Sequence, residues 1–168
     1  MNHGGQARGR LVQMPGRAGP ARVAVVAAVL VLAGCSEPAA TLSIDADDRQ
    51  LVALGEGLYA SHCARCHGVD LGGQPNWRQR RADGRLPAPP HDASGHTWHH
   101  PDAMLFGMVK EGFATGAFAP PGYRSDMPAY GEMLDDREIV ATLAYIKSTW
   151  PAPQRAHQAR VSEAAGGG

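Results

Sequence analysis

The stretch Cys63-Ala64-Arg65-Cys66-His67 decides the fold of this chain. Two cysteines separated by two residues can lie on one helical turn, so both thiols can add to the two vinyl groups of a single haem. The histidine that follows then lies under the iron and can supply an imidazole nitrogen to it. The motif therefore predicts a covalent haem on Cys63 and Cys66, with His67 as the proximal iron ligand.

The same five residues are also compatible with half of a zinc site or with a thiol redox pair. A zinc site would need a further soft ligand, and the one remaining cysteine, Cys35, belongs to a different sequence pattern. A thiol redox pair usually follows a strand in a βαβ unit, and no such pattern precedes Cys63. Haem attachment is therefore the favoured interpretation.

The N-terminal segment predicts export and lipidation. Four arginines and no acidic residue accompany an apolar run from Val23 to Leu32. This run has the length of a signal-peptide core and is too short to cross a bilayer by itself. It ends in Leu32-Ala33-Gly34-Cys35, which resembles the lipobox of bacterial lipoproteins, so Cys35 is expected to carry the lipid. An ordinary secretory signal and a retained signal anchor are the alternatives.

The cysteines and the charges agree with this location. One cysteine is assigned to lipid and two to haem, which leaves none for a disulfide. Haem attachment of this kind occurs outside the cytoplasmic membrane, so a membrane-anchored protein on the periplasmic side is expected. Removing the four signal arginines leaves 12 of 16 basic residues against 16 acidic ones. This acidic balance disfavours nucleic acid as a partner and suits steered encounters with charged proteins.

The chain divides into four segments. Residues 1–34 form the signal, residues 35–46 the lipidated cysteine and a linker, and residues 47–150 a single domain with one haem motif. Residues 151–168 form a tail of looser composition that is expected to be disordered.

Helical periodicity predicts three helices in the domain. Between the first two helices lies a long segment, Gly68 to His100, rich in glycine and proline. An unstructured segment of this length is unusual in a compact domain, unless it wraps a large apolar group such as haem. The three helices are predicted to begin at Asp47 or Asp48, at Pro101-Asp102 and at a capping box of Asp135 and Glu138.

Met127 is the candidate for the sixth iron ligand. It lies in a predicted loop between the second and third helices, where Pro128 favours an extended backbone at residue 127. A thioether is soft and uncharged, so it favours ferrous iron and raises the reduction potential. The alternative is a core methionine, as is expected for Met104, Met108 and Met133.

The segment from His91 to His100 is rich in histidine. It could form a second metal site for copper or zinc, or supply a histidine to the iron in place of Met127. It lacks cysteine and has few acidic neighbours, so it is not a standard ligand set. The simpler expectation is that Trp98 and one histidine line the propionate edge of the haem while the rest are exposed. Its histidines are His91, His96, His99 and His100.

Residues 47–150 resemble the class I, mono-haem cytochromes c of bacteria. The resemblance implies an all-α fold with three main helices and long loops around one covalent haem c. It also implies His67 and Met127 as iron ligands, and a crossing of the first and last helices where a small glycine faces an aromatic. The similarity rests on Gly55, Tyr59, Cys63-Ala64-Arg65-Cys66-His67-Gly68, Met127-Pro128-Ala129-Tyr130 and Leu143-Ala144-Tyr145-Ile146-Lys147.

In that family a proline carbonyl receives the N–H of the proximal imidazole. The matching segment departs from the family pattern here, and Pro89 or Pro90 is expected to serve, with Pro75 as a weaker choice. Further candidates for the haem environment are Tyr130, which follows Met127, and Arg78, which could reach a propionate or a partner. The alternative for Arg78 is a solvated basic loop.

The expected function is one-electron transfer in a membrane-associated or periplasmic chain, with redox proteins as partners and no small-molecule substrate. With His67 and Met127 both bound to iron no position is open, so a carrier rather than an enzyme is expected. Such a carrier could also be the cytochrome subunit of an oxidoreductase. The alternatives are a haem enzyme or gas sensor with an open sixth site, and a copper-handling protein that uses the His91–His100 segment.

Overall fold

The computed structural model describes residues 42–113 and 117–166. Within these residues the secondary structure is helical and contains no strand, which confirms the predicted all-α class. The predicted signal and Cys35 lie outside the described residues. The elements are α1 Arg49–His62, α2 Ala64–His67, the 3₁₀ turn Thr97–His99, α3 Asp102–Glu111, α4 Asp136–Ser148 and α5 Ala152–Gly166.

The helix starts follow the capping residues in the sequence. Of the two aspartates proposed for α1, Asp48 is the cap, and its carboxylate accepts hydrogen bonds from two backbone N–H groups of the first turn. At the start of α4 both hydrogen bonds of the predicted capping box form between Asp135 and Glu138. These bonds fix the starts of the two helices that make the largest contact in the domain.

Helices α1 and α4 cross at Gly55, where the two backbones touch. A Cβ atom at residue 55 would overlap the carbonyl group of Ala141 on α4, so only glycine permits this approach. One turn further along α1, the ring of Tyr59 lies 5.4 Å from the ring of Tyr145 on α4. The predicted crossing is therefore present, with Gly55 against the Ala141 backbone and Tyr145 against Tyr59.

The C-terminal tail was predicted to be disordered, but its residues 152–166 form the helix α5. Gln158 of α5 is only 1% exposed. Its side-chain amide donates to Asp102 Oδ1 at 2.6 Å and to the carbonyl of His100 at 3.2 Å. The sequence signal was misleading because α5 is anchored by a polar side chain and carries no apolar stripe.

The predicted linker also has a packed end. Ile44 is 4% exposed and its backbone N–H donates to Asp102 Oδ2 at 3.0 Å. The same carboxylate forms a buried ion pair with Lys147 of α4 at 2.7 Å. Asp102 therefore joins the segment at Ile44, α4 and α5 at one point. Across the described part of the chain, no helix combines the length and the apolar character needed to span a membrane.

The long segment after α2 folds back on itself. The backbone N–H of Gln74 donates to the carbonyl of Ala88, and that of His91 donates to the carbonyl of Leu71. Gly73, at φ 71°, lies so close to the Pro89–Pro90 backbone that a side chain there would clash. This pairing brings the Pro89–His91 segment against the end of α2, where the haem motif lies.

Candidate haem-binding site

The two thiols of the motif lie on one turn at the junction of α1 and α2. The backbone N–H of Cys66 donates to the carbonyl of Cys63 at 3.1 Å, and both cysteines are free and partly exposed. Desolvation, with a smaller contribution from Cys66, raises the pKa of the Cys63 thiol to about 11. A thiol redox pair needs an attacking cysteine with a lowered pKa, so this environment disfavours that alternative.

His67 is held in a neutral form with one ring nitrogen free. Its Nδ1–H donates to the carbonyl oxygen of Pro89 at 2.8 Å, and the residue is 8% exposed. Burial lowers the pKa of the imidazole, an effect that the hydrogen bond to Pro89 partly opposes. Since Nδ1 is the donor, Nε2 carries the lone pair and is available to a metal.

The acceptor for His67 is therefore Pro89 and not Pro90 or Pro75. The carbonyl of Pro90 points elsewhere, at 3.5 Å from the hydroxyl of Thr97, and its backbone packs against Gly95. Pro90 is buried against Gly95, so the expectation that its carbonyl accepts the imidazole N–H is corrected in favour of Pro89.

Tyr59 of α1 stabilises the end of the haem motif through a hydrogen bond. Its hydroxyl donates to the carbonyl of Gly68, the residue after His67, at 3.0 Å. The side chain is 1% exposed, and desolvation raises the pKa of the phenol far above its usual value. The phenol therefore stays protonated and acts as a permanent donor that fixes the end of α2.

Met127 lies in a loop that is tied through Tyr130 to α3 and to the end of α1. Its backbone N–H donates to the Ser125 hydroxyl at 3.1 Å, and its side chain is partly exposed. Three residues on, the backbone N–H of Tyr130 donates to the carbonyl of Val109 on α3, and the Tyr130 hydroxyl donates to the carbonyl of His62 at 2.8 Å. The Met127 loop is thus attached to the residue that precedes Cys63. Met133, by contrast, was expected in the core and is 55% exposed.

The histidines of the segment have different partners, although the rings of His96 and His100 meet edge-on with centroids 5.5 Å apart. His91 lies against His67, while His96 stacks on Trp77 with ring centroids 5.6 Å apart and His99 stacks on Trp98 at 3.7 Å. In residues 42–113 and 117–166, no group of three or more histidine, cysteine or acidic side chains is placed to hold a metal ion. The geometry of the described residues therefore gives no support to the copper alternative.

The two peripheral candidates have partners within the protein. The indole N–H of Trp98 lies 3.4 Å from the carbonyl of Ala93, and its ring contacts His157 of α5. The guanidinium of Arg78 lies over the ring of Trp77 at 3.9 Å. Trp98 therefore helps to dock α5, and Arg78 is part of a surface cation–π pair.

Sequence reasoning missed the position of His91, which it grouped with the other histidines. The His91 ring stacks on the His67 ring with centroids 3.9 Å apart and an interplanar angle of 17°. Desolvation, with smaller contributions from His67 and His96, holds its pKa well below the usual histidine value, so the ring is neutral. The one sequence signal for this position was that His91 follows by two residues the proline whose carbonyl accepts the His67 N–H.

These donors fit a covalently attached haem. Two free thiols lie on one turn, and a neutral imidazole with a free Nε2 follows them directly. The family model described as Cytochrome c matches residues 52–150, which is more than half of the chain. No curated protein and no solved structure matches the chain. By its family match and its all-α fold, the chain belongs to the cytochrome c family, whose domain binds a c-type haem and transfers electrons.

Proposed function

We propose that this protein is a mono-haem, one-electron carrier in which His67 and Met127 are the two axial ligands. When bound, the haem supplies an iron centre that accepts and releases one electron. The observation that carries the proposal is the His67 environment: its Nδ1–H is bound by Pro89, which leaves Nε2 free beside two thiols on the same turn.

His67 gains basicity and a fixed tautomer from this arrangement. A carbonyl that accepts the N–H of a ligating histidine orients the ring and strengthens the opposite nitrogen as a donor. The Pro89 carbonyl is itself held rigidly, since the neighbouring residues Ala88 and His91 are both paired with the Leu71–Gln74 arm. A ligand that does not move between oxidation states favours fast electron transfer.

Met127 would occupy the opposite iron position. Its loop is stiffened by Pro128 and anchored through Tyr130 to α3 and to the end of α1. A thioether stabilises the ferrous state and leaves no position for a substrate or a gas. The proposed activity is therefore relay of electrons and not catalysis at iron.

The proposed setting is the periplasmic side of a bacterial membrane, with Cys35 lipidated and redox proteins as partners. Support comes from the basic and apolar N-terminal segment and from the lipobox-like sequence that ends at Cys35. The resemblance to class I bacterial cytochromes c agrees with this setting. The acidic balance of the processed chain favours a partner with a basic docking surface.

A redox titration of the haem-loaded chain tests the carrier function. We expect a reversible one-electron transition, one haem per chain in the pyridine haemochrome assay, and a ferrous spectrum that carbon monoxide does not change within minutes. Rapid carbon monoxide binding by the parent protein would show an open sixth position and would favour the enzyme or sensor alternative. Palmitate labelling that is lost in Cys35→Ser tests the anchor separately.

A further inference from the structure

His91 is a half-buried polar contact of the proposed iron ligand, and the carrier mechanism does not use it. Its ring lies nearly parallel to that of His67, with centroids 3.9 Å apart and planes inclined by 17°. Its Nδ1 is buried and has no hydrogen-bond partner among residues 42–113 and 117–166. Leaving a ring nitrogen buried and unpaired costs free energy that an apolar side chain of similar size would avoid.

The backbone around His91 is fixed on both sides. Its N–H donates to the carbonyl of Leu71 at 2.7 Å, and its own carbonyl accepts from the indole N–H of Trp150 at 2.7 Å. The ring of Tyr59 meets the His91 ring edge-on at 6.0 Å. Because Leu71 and Trp150 hold the His91 backbone and Tyr59 of α1 meets its ring, the His91 ring is a rigid surface.

An imidazole bound to a metal through one nitrogen can rotate about that bond. The hydrogen bond from His67 Nδ1 to Pro89 restrains one edge of the ring. The His91 ring covers one face, and it comes from the same short segment as Pro89. The hydrogen bond to Pro89 restrains an edge of the His67 ring, and the stack with His91 restrains a face. The two contacts together fix the plane of the ring, which neither contact fixes alone.

We propose that His91 is a positioning residue that fixes the plane of the His67 imidazole by stacking on its face. This deepens the proposed function and rests on its assignment of His67 as the proximal ligand, but not on that of Met127. The orientation of an axial imidazole plane determines how unpaired spin is distributed over the haem, and outer partners of a ligating histidine tune the metal. A flat ring at residue 91 is therefore required, and its polarity is secondary.

Proton NMR of the ferric cyanide adduct tests this inference. Cyanide replaces whatever group occupies the distal position and has no plane of its own, so the four haem methyl shifts then report on the His67 plane. The variants are His91→Leu, which is apolar and not flat, and His91→Phe, which keeps a flat ring. His91→Met serves as a second non-flat variant should His91→Leu fail to take up haem. His96→Leu is the control, because His96 stacks on Trp77 on the surface.

We expect the order or spread of the methyl resonances to change by several parts per million in His91→Leu or His91→Met. His91→Phe should remain close to the parent protein, and His96→Leu should match it. The proposal would be overturned if the haem methyl shifts of His91→Leu or His91→Met differed from those of the parent by no more than the shifts of His96→Leu do. It would also be overturned if the shifts of His91→Phe moved as far as those of the two non-flat variants. If the parent protein shows no reversible one-electron transition, the carrier function is overturned. The methyl shifts of the cyanide adduct still report on the His67 plane in that case.

Discussion

The hydroxyl of Tyr130 donates a hydrogen bond to the carbonyl oxygen of His62 at 2.8 Å. The two residues are far apart in sequence, but each is close in the chain to a residue that is proposed to hold the haem. His62 ends α1 immediately before Cys63, and Tyr130 follows Met127 by three residues. This bond therefore ties the loop of the proposed distal ligand directly to the haem attachment motif.

Removal of this bond should loosen the Met127 loop. In Tyr130→Phe the partly buried His62 carbonyl loses its phenolic donor, so we expect the free energy of unfolding to fall by about 1 kcal/mol. Cyanide should also replace the distal ligand several-fold faster, because the loop opens more often. Urea unfolding and stopped-flow cyanide binding measure the two effects.

Tyr123→Phe is the matched control, since the Tyr123 hydroxyl makes no hydrogen bond within residues 42–113 and 117–166 and its ring packs on Phe113. Equal cyanide rates in Tyr130→Phe, Tyr123→Phe and the parent would show that the bond does not restrain the loop.

The α1–α4 crossing should tolerate no side chain at residue 55. A Cβ atom there would overlap the Ala141 carbonyl, and backbone on both sides prevents an easy adjustment. We expect Gly55→Ala to lower the free energy of unfolding by about 3 kcal/mol. Gly57→Ala, on the same helix, meets open space and should raise it by about 0.5–1 kcal/mol through helix propensity. Thermal unfolding of both variants decides the matter, and similar melting temperatures would refute this packing.

The buried ion pair of Asp102 and Lys147 should be much more important than an exposed one. The two side chains are only 6% and 11% exposed, so Lys147→Met leaves a buried carboxylate without its cation. We expect a loss of about 3–5 kcal/mol in the free energy of unfolding. Lys110→Met breaks the exposed pair with Asp136 and should cost less than about 1 kcal/mol. Chemical denaturation compares the two variants, and equal losses would contradict the structure.

The sequence predicted the parts of the fold that depend on local signals. The caps at Asp48 and Asp135 and the attachment motif are read from a few neighbouring residues, and all lie on the expected elements. The choice of Pro89 over Pro90 depends on backbone hydrogen bonds between the arms at residues 71–74 and 88–91, which have no side-chain pattern. No local rule distinguishes two adjacent prolines.

Two other features were hidden for related reasons. His91 belongs by composition to a histidine-rich segment, but the fold separates it from His96 and His99 and places it on His67. Helix α5 is anchored through Gln158, a polar residue, so its sequence lacks the apolar periodicity that identifies a packed helix. Tertiary partners, which a single sequence does not display, decide both.

The near-infrared absorption spectrum of the ferric, haem-loaded protein tests the central claim most directly. The account predicts a weak thioether-to-iron charge-transfer band in the parent that is absent from Met127→Ala. The band should persist in Met133→Ala, since Met133 is an exposed methionine of the same region. A parent without this band would contradict ligation by Met127. A band that survives in Met127→Ala would assign the sixth position to another methionine.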